Sequence, residues 1–266
     1  MPLPEKAYKS LEFLSSPPAR HIRILCEYEE PRQRFHKENV HHTLVFFGSA
    51  RIASTEVCQA RMEAATTPEE TARAEIGLKM CRYYDEAREL ARRMTAWSMA
   101  RETGRRFLVC SGGGPGIMEA ANRGAMDVPG GRSVGLGISL PFEQGVNEYV
   151  TPELAFEFHY FFTRKYWFLY LCKALVIFPG GFGTLDELFE TLTLVQTGKI
   201  KKKLPVVLYG KSYWSAVLNL GAMAEFGTIS LIDLDLIHMT DDLDDAYGYL
   251  ISKLDDSPPE TLLSRV

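Results

Sequence analysis

Short segments rich in Val, Ile, Leu and Phe alternate with helical patterns along most of the chain. Strands that are apolar at every position are buried on both faces, which requires helices on both sides of the sheet. The pattern therefore predicts a single α/β domain built on a doubly wound, Rossmann-like parallel sheet flanked by helices. Ligands of such sheets bind at the carboxyl ends of the strands. The predicted strands are 43–47, 106–110, 133–138, 155–158, 174–178, 204–208 and 236–239.

The first 40 residues differ from the rest because they mix prolines with charged residues and show no long apolar period. We expect residues 1–40 to be an N-terminal extension packed on the domain, and residues 41–266 to form the domain itself. Apolar residues recur at helical spacing from 68 to 101, which predicts one long helix that packs in the core or in a dimer. This stripe and the aromatic residues at 160–170 exceed what one sheet layer covers, so we expect a homodimer.

Composition excludes several classes of protein. The 266 residues are 46% hydrophobic and 24% charged, which excludes disorder and a fibrous fold. A net charge of −4 offers no general attraction for nucleic acid or an anionic membrane. The five cysteines never form a CxxC pair and the histidines lack metal-ligand spacing, which argues against disulfides and a metal site. Because neither a signal peptide nor a membrane-spanning run is present, we expect a cytoplasmic protein.

A glycine-rich turn follows the strand predicted at 106–110 and leads into a helix that contains Met118. Glycines let backbone N–H groups approach an anion closely, and a helix N-terminus adds partial positive charge. The turn therefore predicts a phosphate site, although a tight strand-to-helix turn without a ligand explains the same residues. Its glycines are Gly112, Gly113, Gly114 and Gly116.

A second turn of this kind, PGGFGT, follows the strand predicted at 174–178. Two such turns at one edge of a sheet predict a shared ligand. The dinucleotide fingerprint fails in both turns, because Glu119 and Asp186 stand where its last small residue is required, and this disfavours a nicotinamide or flavin enzyme. The residues of the second turn that we expect to bind the ligand are Gly180, Gly181, Gly183 and Thr184.

Glu187 and the pair Arg164 and Lys165 each allow two interpretations. Thr184 and Glu187 have the spacing of a capping box, in which Thr184 caps the helix and Glu187 bonds back to it. Alternatively, Glu187 is a catalytic carboxylate beside the shared ligand. Arg164 and Lys165 lie among aromatic residues near the start of a predicted helix, where cations are either solvated or directed into a site.

Together, the first glycine motif, the Arg-Lys pair and PGGFGTLDE resemble the LOG (Lonely Guy) phosphoribohydrolases, a family formerly labelled lysine decarboxylase-like. The resemblance covers residues 43–213 and implies a Rossmann-like fold and a homodimer. It also implies cleavage of the N-glycosidic bond of adenosine monophosphate or cytokinin riboside 5′-monophosphates into free base and ribose 5-phosphate, with no cofactor and no metal. It assigns catalysis to Arg164 and Glu187. Nucleotide and phosphate binding falls to Ser49, Met118 and Lys165, together with Thr184 and the glycines of both turns.

In one departure from the family, Phe161 and Phe162 stand where many members have Met and His, which leaves the preferred base open. The implied mechanism uses Glu187 to stabilise an oxocarbenium-like transition state or activate water, with the 5′-phosphate on the backbone of residues 180–184. We expect Arg164 to orient the ribose phosphate or assist base departure, and to help keep Glu187 ionised. One alternative is a non-hydrolytic carrier or sensor of a phosphorylated, nucleotide-like ligand, as molybdenum cofactor carriers are. Another is a structural homo-oligomer in which Glu187 is only a cap.

Overall fold

The computed structural model describes residues 4–101, 106–140, 145–201 and 204–255. The first three residues of the expected extension and the last eleven of the expected domain lie outside these ranges. Within them, the strands are β1 (His42–Phe47), β2 (Phe107–Ser111), β3 (Ser133–Ile138), β4 (Ala155–Phe158), β5 (Cys172–Ile177), β6 (Val206–Tyr209) and β7 (Ile237–Thr240). The α-helices are α1 (Leu11–Ser15), α2 (Arg20–Lys37), α3 (Thr55–Glu63), α4 (Pro68–Met80), α5 (Arg82–Met99), α6 (Ile117–Met126), α7 (Phe161–Tyr170), α8 (Phe182–Gln196), α9 (Lys211–Val217), α10 (Leu220–Glu225) and α11 (Leu243–Asp255). Single turns of 3-10 helix form at Ala7–Lys9, Pro17–Ala19 and Pro152–Leu154, and a longer one at Leu231–Leu236.

The seven strands form one parallel sheet with the order β4-β3-β2-β1-β5-β6-β7. The chain runs outward from β1 to β4 and then returns to the other side of β1 with β5. The boundary between β1 and β5 is therefore the topological switch point, where doubly wound folds bind their ligands. This architecture confirms the predicted doubly wound α/β fold, and each predicted strand is present with shifts of at most two residues at its ends.

Side chains alternate along the strands, so the two faces of the sheet contribute to two apolar clusters. On β1, Leu44 and Phe46 enter one cluster, whereas Val45 and Phe47 enter the other. Helices α5, α6 and α11 cover the first face, and α2, α7, α8 and α9 cover the second. Burial of these side chains supplies the main driving force for folding. Among the described residues, no helix is both long enough and apolar enough to cross a bilayer.

The predicted single helix at 68–101 is wrong, because the chain forms two helices, α4 and α5, that are separated at Cys81. The two halves pack against different partners, α4 on α3 and α5 on α6, which one straight helix would not allow. Ile76 is accordingly 62% exposed, whereas Tyr83 and Met94 are buried in the core. From Tyr83 onward the apolar stripe belongs to this chain's own core, which removes one argument for a homodimer. The homodimer itself stays a prediction.

Candidate functional site

The carboxyl ends of β2, β1 and β5 lie side by side, so the two glycine turns flank the segment that follows β1. Ser49 lies in that segment and bonds to both turns through its backbone. Its N–H donates to the Pro179 carbonyl (2.9 Å), and its carbonyl accepts from the Ile117 N–H (3.1 Å). The structure thus brings together Ser49 and the two turns that we expected to share a ligand.

The first glycine turn is tightly packed. Gly116 has a positive φ of 70°, and a Cβ atom there would overlap the carbonyl of Ser49. A Cβ on Gly112 would lie 2.6 Å from both Nη2 of Arg164 and Sδ of Met118. Packing therefore requires glycine at Gly116, where a Cβ would meet backbone, whereas at Gly112 it would displace only the ends of two side chains. These contacts place Gly112, Met118 and Arg164 in one contact group.

A buried polar network that the sequence motifs did not identify supports this turn. Asn147 Nδ2 donates to the carbonyls of Gly113 (2.9 Å) and Gly114 (3.0 Å) and to Asn122 Oδ1 (3.0 Å). Ser111 Oγ donates to the same Asn122 oxygen (2.6 Å) and accepts from the Gly113 N–H (3.1 Å). Asn122 was detectable in principle, because it is a fully buried amide in a helix of small apolar residues and such groups require partners.

The second glycine turn has free space beside two of its glycines, whereas the first turn is tightly packed. A Cβ placed on Gly181 or Gly183 would meet no atom of the described residues within 4 Å, although one on Gly180 would overlap Thr184. Helix α8 begins at Phe182, whose side chain is 93% exposed, with Gly181 as its N-cap. The first N–H groups of a helix lack partners within it and carry partial positive charge. The start of α8 therefore has room for an anion.

The capping box considered for Thr184 and Glu187 does not form. Thr184 is the third residue of α8 and not its N-cap, and no side chain caps this helix. Glu187 lies a further turn into α8, where its side chain is only 6% exposed. Its Oε2 atom has no hydrogen-bond partner among the residues that the structure describes. Burying a carboxylate oxygen without a hydrogen-bond partner destabilises a protein. Because the cap bonds do not form, capping does not explain why Glu187 stands at this position.

Lys165 faces three carboxylates of α8. Its Nζ atom lies 2.6 Å from Glu190 Oε2, 2.8 Å from Asp186 Oδ2 and 3.7 Å from Glu187 Oε1. Burial lowers the pKa of Lys165, but the hydrogen bonds to Asp186 and Glu190 outweigh it and leave this pKa above its ordinary value. Lys165 is therefore a permanent cation beside Glu187. Sequence reasoning did not identify Asp186 and Glu190 as parts of this group.

The pKa of Glu187 is raised to about 7 because burial disfavours its charged form. Lys165, and to a smaller extent Arg164, act in the opposite direction, whereas Glu190 and Asp186 raise this pKa further. The expectation that Arg164 helps to keep Glu187 ionised is right in direction, because Arg164 lowers this pKa, but burial outweighs the two cations. At neutral pH the carboxyl populates both protonation states, which suits a group that must accept and return a proton.

Arg164 is directed to the first turn, although it is adjacent to Lys165 in sequence. Its Nε donates to the Leu136 carbonyl (2.6 Å), and its Nη2 lies 3.5 Å from the Gly112 carbonyl. The guanidinium also stacks over the ring of Phe168 at 5.0 Å. Helix α7 therefore directs Arg164 to the first glycine turn and Lys165 to the carboxylates of α8. Phe161 and Phe162, at the start of the same helix, are both exposed.

Comparisons with known proteins agree with the motifs. The chain matches the family described as possible lysine decarboxylase over residues 118–250, half of its length, which includes Arg164, Lys165 and Glu187. Among solved structures, the X-ray structure of TM1055, a structural genomics target, is 18% identical and covers 79% of this chain and 99% of its own, with a TM-score of 0.49. A molybdenum cofactor binding protein from Rippkaea orientalis is 15% identical and covers 80% of this chain and 95% of its own, with a TM-score of 0.46. No curated protein matched.

Proposed function

This chain belongs to the family described as possible lysine decarboxylase, and from that premise we propose that it hydrolyses the N-glycosidic bond of nucleoside 5′-monophosphates. The match confirms the resemblance to the LOG phosphoribohydrolases that the motifs indicated. The proposed substrates are adenosine monophosphate or a cytokinin riboside 5′-monophosphate. Water supplies the hydroxyl that bonds to C1′ of the ribose and the proton that leaves with the base, so free base and ribose 5-phosphate are the products.

One observation carries the proposal: a buried carboxyl lies near the start of α8, the helix whose glycine turn faces open space at Gly181 and Gly183. Glu187 has no structural partner for Oε2, and its pKa of about 7 lies near the working pH of a general base. Breaking a ribosyl bond builds positive charge at C1′, which an ionised carboxylate stabilises while it orients or deprotonates water. Because Glu187 is on the first turns of α8, a phosphate at the start of this helix holds the ribose close to it.

The remaining site residues have roles that follow from their positions. Gly181 and Gly183 leave the N–H groups at the start of α8 accessible to the 5′-phosphate. Arg164, held by the Leu136 and Gly112 carbonyls, presents a fixed guanidinium to the ribose phosphate or to the departing base. Ser49, Met118 and the first turn form the opposite wall. Lys165 maintains a cation beside Glu187 and adds to the positive potential at the phosphate site.

The description of the family suggests a second chemistry, decarboxylation with pyridoxal phosphate, which requires a lysine that forms a Schiff base. A Schiff base forms from a neutral amine. Lys165 is a poor candidate, since its hydrogen bonds to Asp186 and Glu190 keep its pKa above the ordinary value despite burial. The residues of this site do not fit that cofactor, and we derive no step through it.

The direct test is incubation with a panel of nucleoside 5′-monophosphates and their nucleosides, followed by chromatography for free base. We expect at least one monophosphate to release base with a kcat/KM at least about 100-fold above that of its nucleoside, because phosphate binding supplies energy that is used at the glycosidic bond. Equal turnover of adenosine and adenosine monophosphate would contradict the phosphate site. Tight binding of a monophosphate without base release would favour the carrier alternative.

Gly183→Ala tests whether the start of α8 holds the phosphate. A methyl group at this position meets no protein atom, so the variant should be as stable as wild type or more stable, by about 0.4–1 kcal/mol. The same methyl group keeps a phosphate from the backbone, and we expect KM for the monophosphate to rise about 10-fold. Gly248→Ala, in a helix position that is equally open, is the matched control and should change stability but not KM. An unchanged KM in Gly183→Ala would place the phosphate elsewhere.

A homodimer and the division into an extension and a domain remain part of the proposal. Aromatic residues on α7 support a homodimer, since Phe161, Phe162, Tyr166 and Tyr170 are all exposed. Contiguous exposed apolar surface of this kind marks an interaction site.

A further inference from the structure

Helix α2, in the segment expected to be an N-terminal extension, contacts the start of α7 through one carboxylate. Glu27 Oε1 accepts from the His159 N–H (2.7 Å), and Oε2 accepts from the Tyr160 N–H (3.3 Å) and from the Thr163 hydroxyl (2.5 Å). The backbone carbonyl of Glu27 also accepts from Trp167 Nε1 (2.9 Å). Both the side chain and the backbone of Glu27 are therefore bonded to α7 and to the residues just before it.

The bonds to Glu27 replace capping interactions that α7 does not make with its own nearby residues. Its N-cap, Tyr160, makes no side-chain capping bond, and its first turn contains no acidic residue. A helix start normally requires an acceptor for its free N–H groups, and negative charge there is stabilising. Glu27 brings a negative charge from a distant part of the chain and accepts from the N–H groups of the N-cap Tyr160 and of His159 before it. The bond to Trp167, which is buried, ties the middle of α7 to α2 as well.

The position of α7 determines the position of both cations of the site. Arg164 and Lys165 lie one turn after Tyr160, and the Arg164 N–H bonds to the Tyr160 carbonyl (3.3 Å). Arg164 reaches the first glycine turn, and Lys165 reaches the carboxylates of α8. A small movement of the first turn of α7 therefore displaces two side chains that contact opposite walls of the site.

We infer that Glu27 is a positioning residue for the site: its carboxylate fixes the first turn of α7, and thereby the places of Arg164 and Lys165. The first forty residues are then part of the functional unit. The inference rests on the proposed function for what the two cations do to a substrate. The contacts of Glu27 and their effect on Glu187 do not depend on the identity of that substrate.

The test compares Glu27→Ala and Glu27→Gln with wild type and with the matched control Glu29→Gln. This control removes a carboxylate of the same helix that pairs, within the described part of the chain, with nearby Arg32 on the surface. Hydrogen exchange of a peptide spanning residues 156–170 is measured first, so that the His159 and Tyr160 N–H groups lie beyond its first two residues. We expect Glu27→Ala to speed exchange in this peptide at least about 10-fold, because the His159 and Tyr160 N–H groups lose their acceptor. Glu27→Gln, which keeps one acceptor oxygen, should show a smaller increase, and Glu29→Gln none.

The second readout is the titration of Glu187, followed by ¹³C NMR of its carboxyl carbon. Lys165 and Arg164 lower the pKa of Glu187, whereas Asp186 and Glu190 raise it. Loosening α7 withdraws both cations, so the titration midpoint of Glu187 should move to higher pH in Glu27→Ala, less in Glu27→Gln and not in Glu29→Gln. Titration midpoints of Glu187 that are equal in all four proteins would overturn the inference. Hydrogen exchange that rises equally in the peptide and in β1 would overturn it as well, because Glu27 would then contribute only to the stability of the whole fold.

Activity is measured last, with any monophosphate that wild type hydrolyses. We expect kcat for Glu27→Ala to fall about 10-fold or more, since misplaced groups lose the productive geometry. Wild-type protein that hydrolyses no monophosphate would contradict the proposed function alone. The exchange and titration results would still decide the role of Glu27.

Discussion

Glu187→Gln is expected to lower the rate of base release at least about 100-fold, with the protein still folded. Glutamine has nearly the shape of glutamate, so it fills the same buried space in α8. It has no negative charge for C1′ and takes no proton from water. Base release under saturating monophosphate, measured beside the thermal unfolding midpoint of each protein, checks this expectation.

The same substitution should also remove a pH dependence of stability. The pKa of Glu187 is raised from 4.5 to about 7 in the folded chain, so the folded state binds the proton more tightly than the unfolded state. Wild-type protein should therefore lose stability as pH rises from about 4.5 to about 7, by about 3 kcal/mol. Glu187→Gln has no group to titrate there, and its unfolding free energy should lack this decline. Titrating groups that do not interact with Glu187 contribute equally to both proteins and cancel in the difference.

A matched control is Glu86→Gln on α5. Glu86 is a second carboxyl whose pKa is raised by burial and whose Oε2 atom has no hydrogen-bond partner in the described part of the chain. Its neighbours are Arg82, Tyr209 and Asp241, outside the proposed site. The variant should flatten the stability profile in the same direction and leave turnover unchanged. Near-normal turnover in Glu187→Gln would show that Glu187 is not catalytic.

The strands and the location of the site were predictable because both leave local signals. A strand buried on both faces is a continuous apolar run, as in Cys172–Ile177, and a glycine turn after such a strand marks the ligand edge. The strand order was not predictable, since short parallel strands give no local indication of which neighbour they pair with. The contact between Arg164 and Gly112 joins residues from α7 and the turn after β2; the family resemblance assigned both residues to one site but did not predict this contact.

Three features of the structure have physical causes that local patterns do not contain. The spacing of Thr184 and Glu187 is that of a capping box, but the N-cap of α8 is Gly181, three residues before Thr184, so both residues lie inside the helix. The helical period at 68–101 continues through Cys81, yet α4 and α5 meet different partners, so the prediction of one helix is wrong. The pKa of Glu187 depends mainly on burial, so the nearby cations lower it without determining its value.

Arg164→Ala and Lys165→Met are expected to lower activity in different ways, because the two adjacent cations contact different parts of the site. Arg164 lies at the first glycine turn, and Lys165 lies among the carboxylates of α8. Arg164→Ala removes a guanidinium that is fixed by the Leu136 carbonyl, and kcat/KM should fall about 100-fold or more. Arg164→Lys should recover little of this loss, since an ammonium lacks the planar fork of donors. The pH profile of Arg164→Ala should change only slightly, because Arg164 lowers the pKa of Glu187 less than Lys165 does.

For Lys165→Met the sign of the pH effect is fixed by the same electrostatics. Lys165 lowers the pKa of Glu187, so its removal raises that pKa, and the acidic limb of kcat/KM, which we expect near pH 7 in wild type, should move to higher pH. At pH values above the new limb, activity should return toward that of wild type. A Lys165→Met protein with an unmoved acidic limb and a raised KM for the monophosphate, but not for the nucleoside, would instead assign Lys165 to the phosphate. The Asp186 and Glu190 carboxylates that surround its ammonium would then have to release it when the substrate binds.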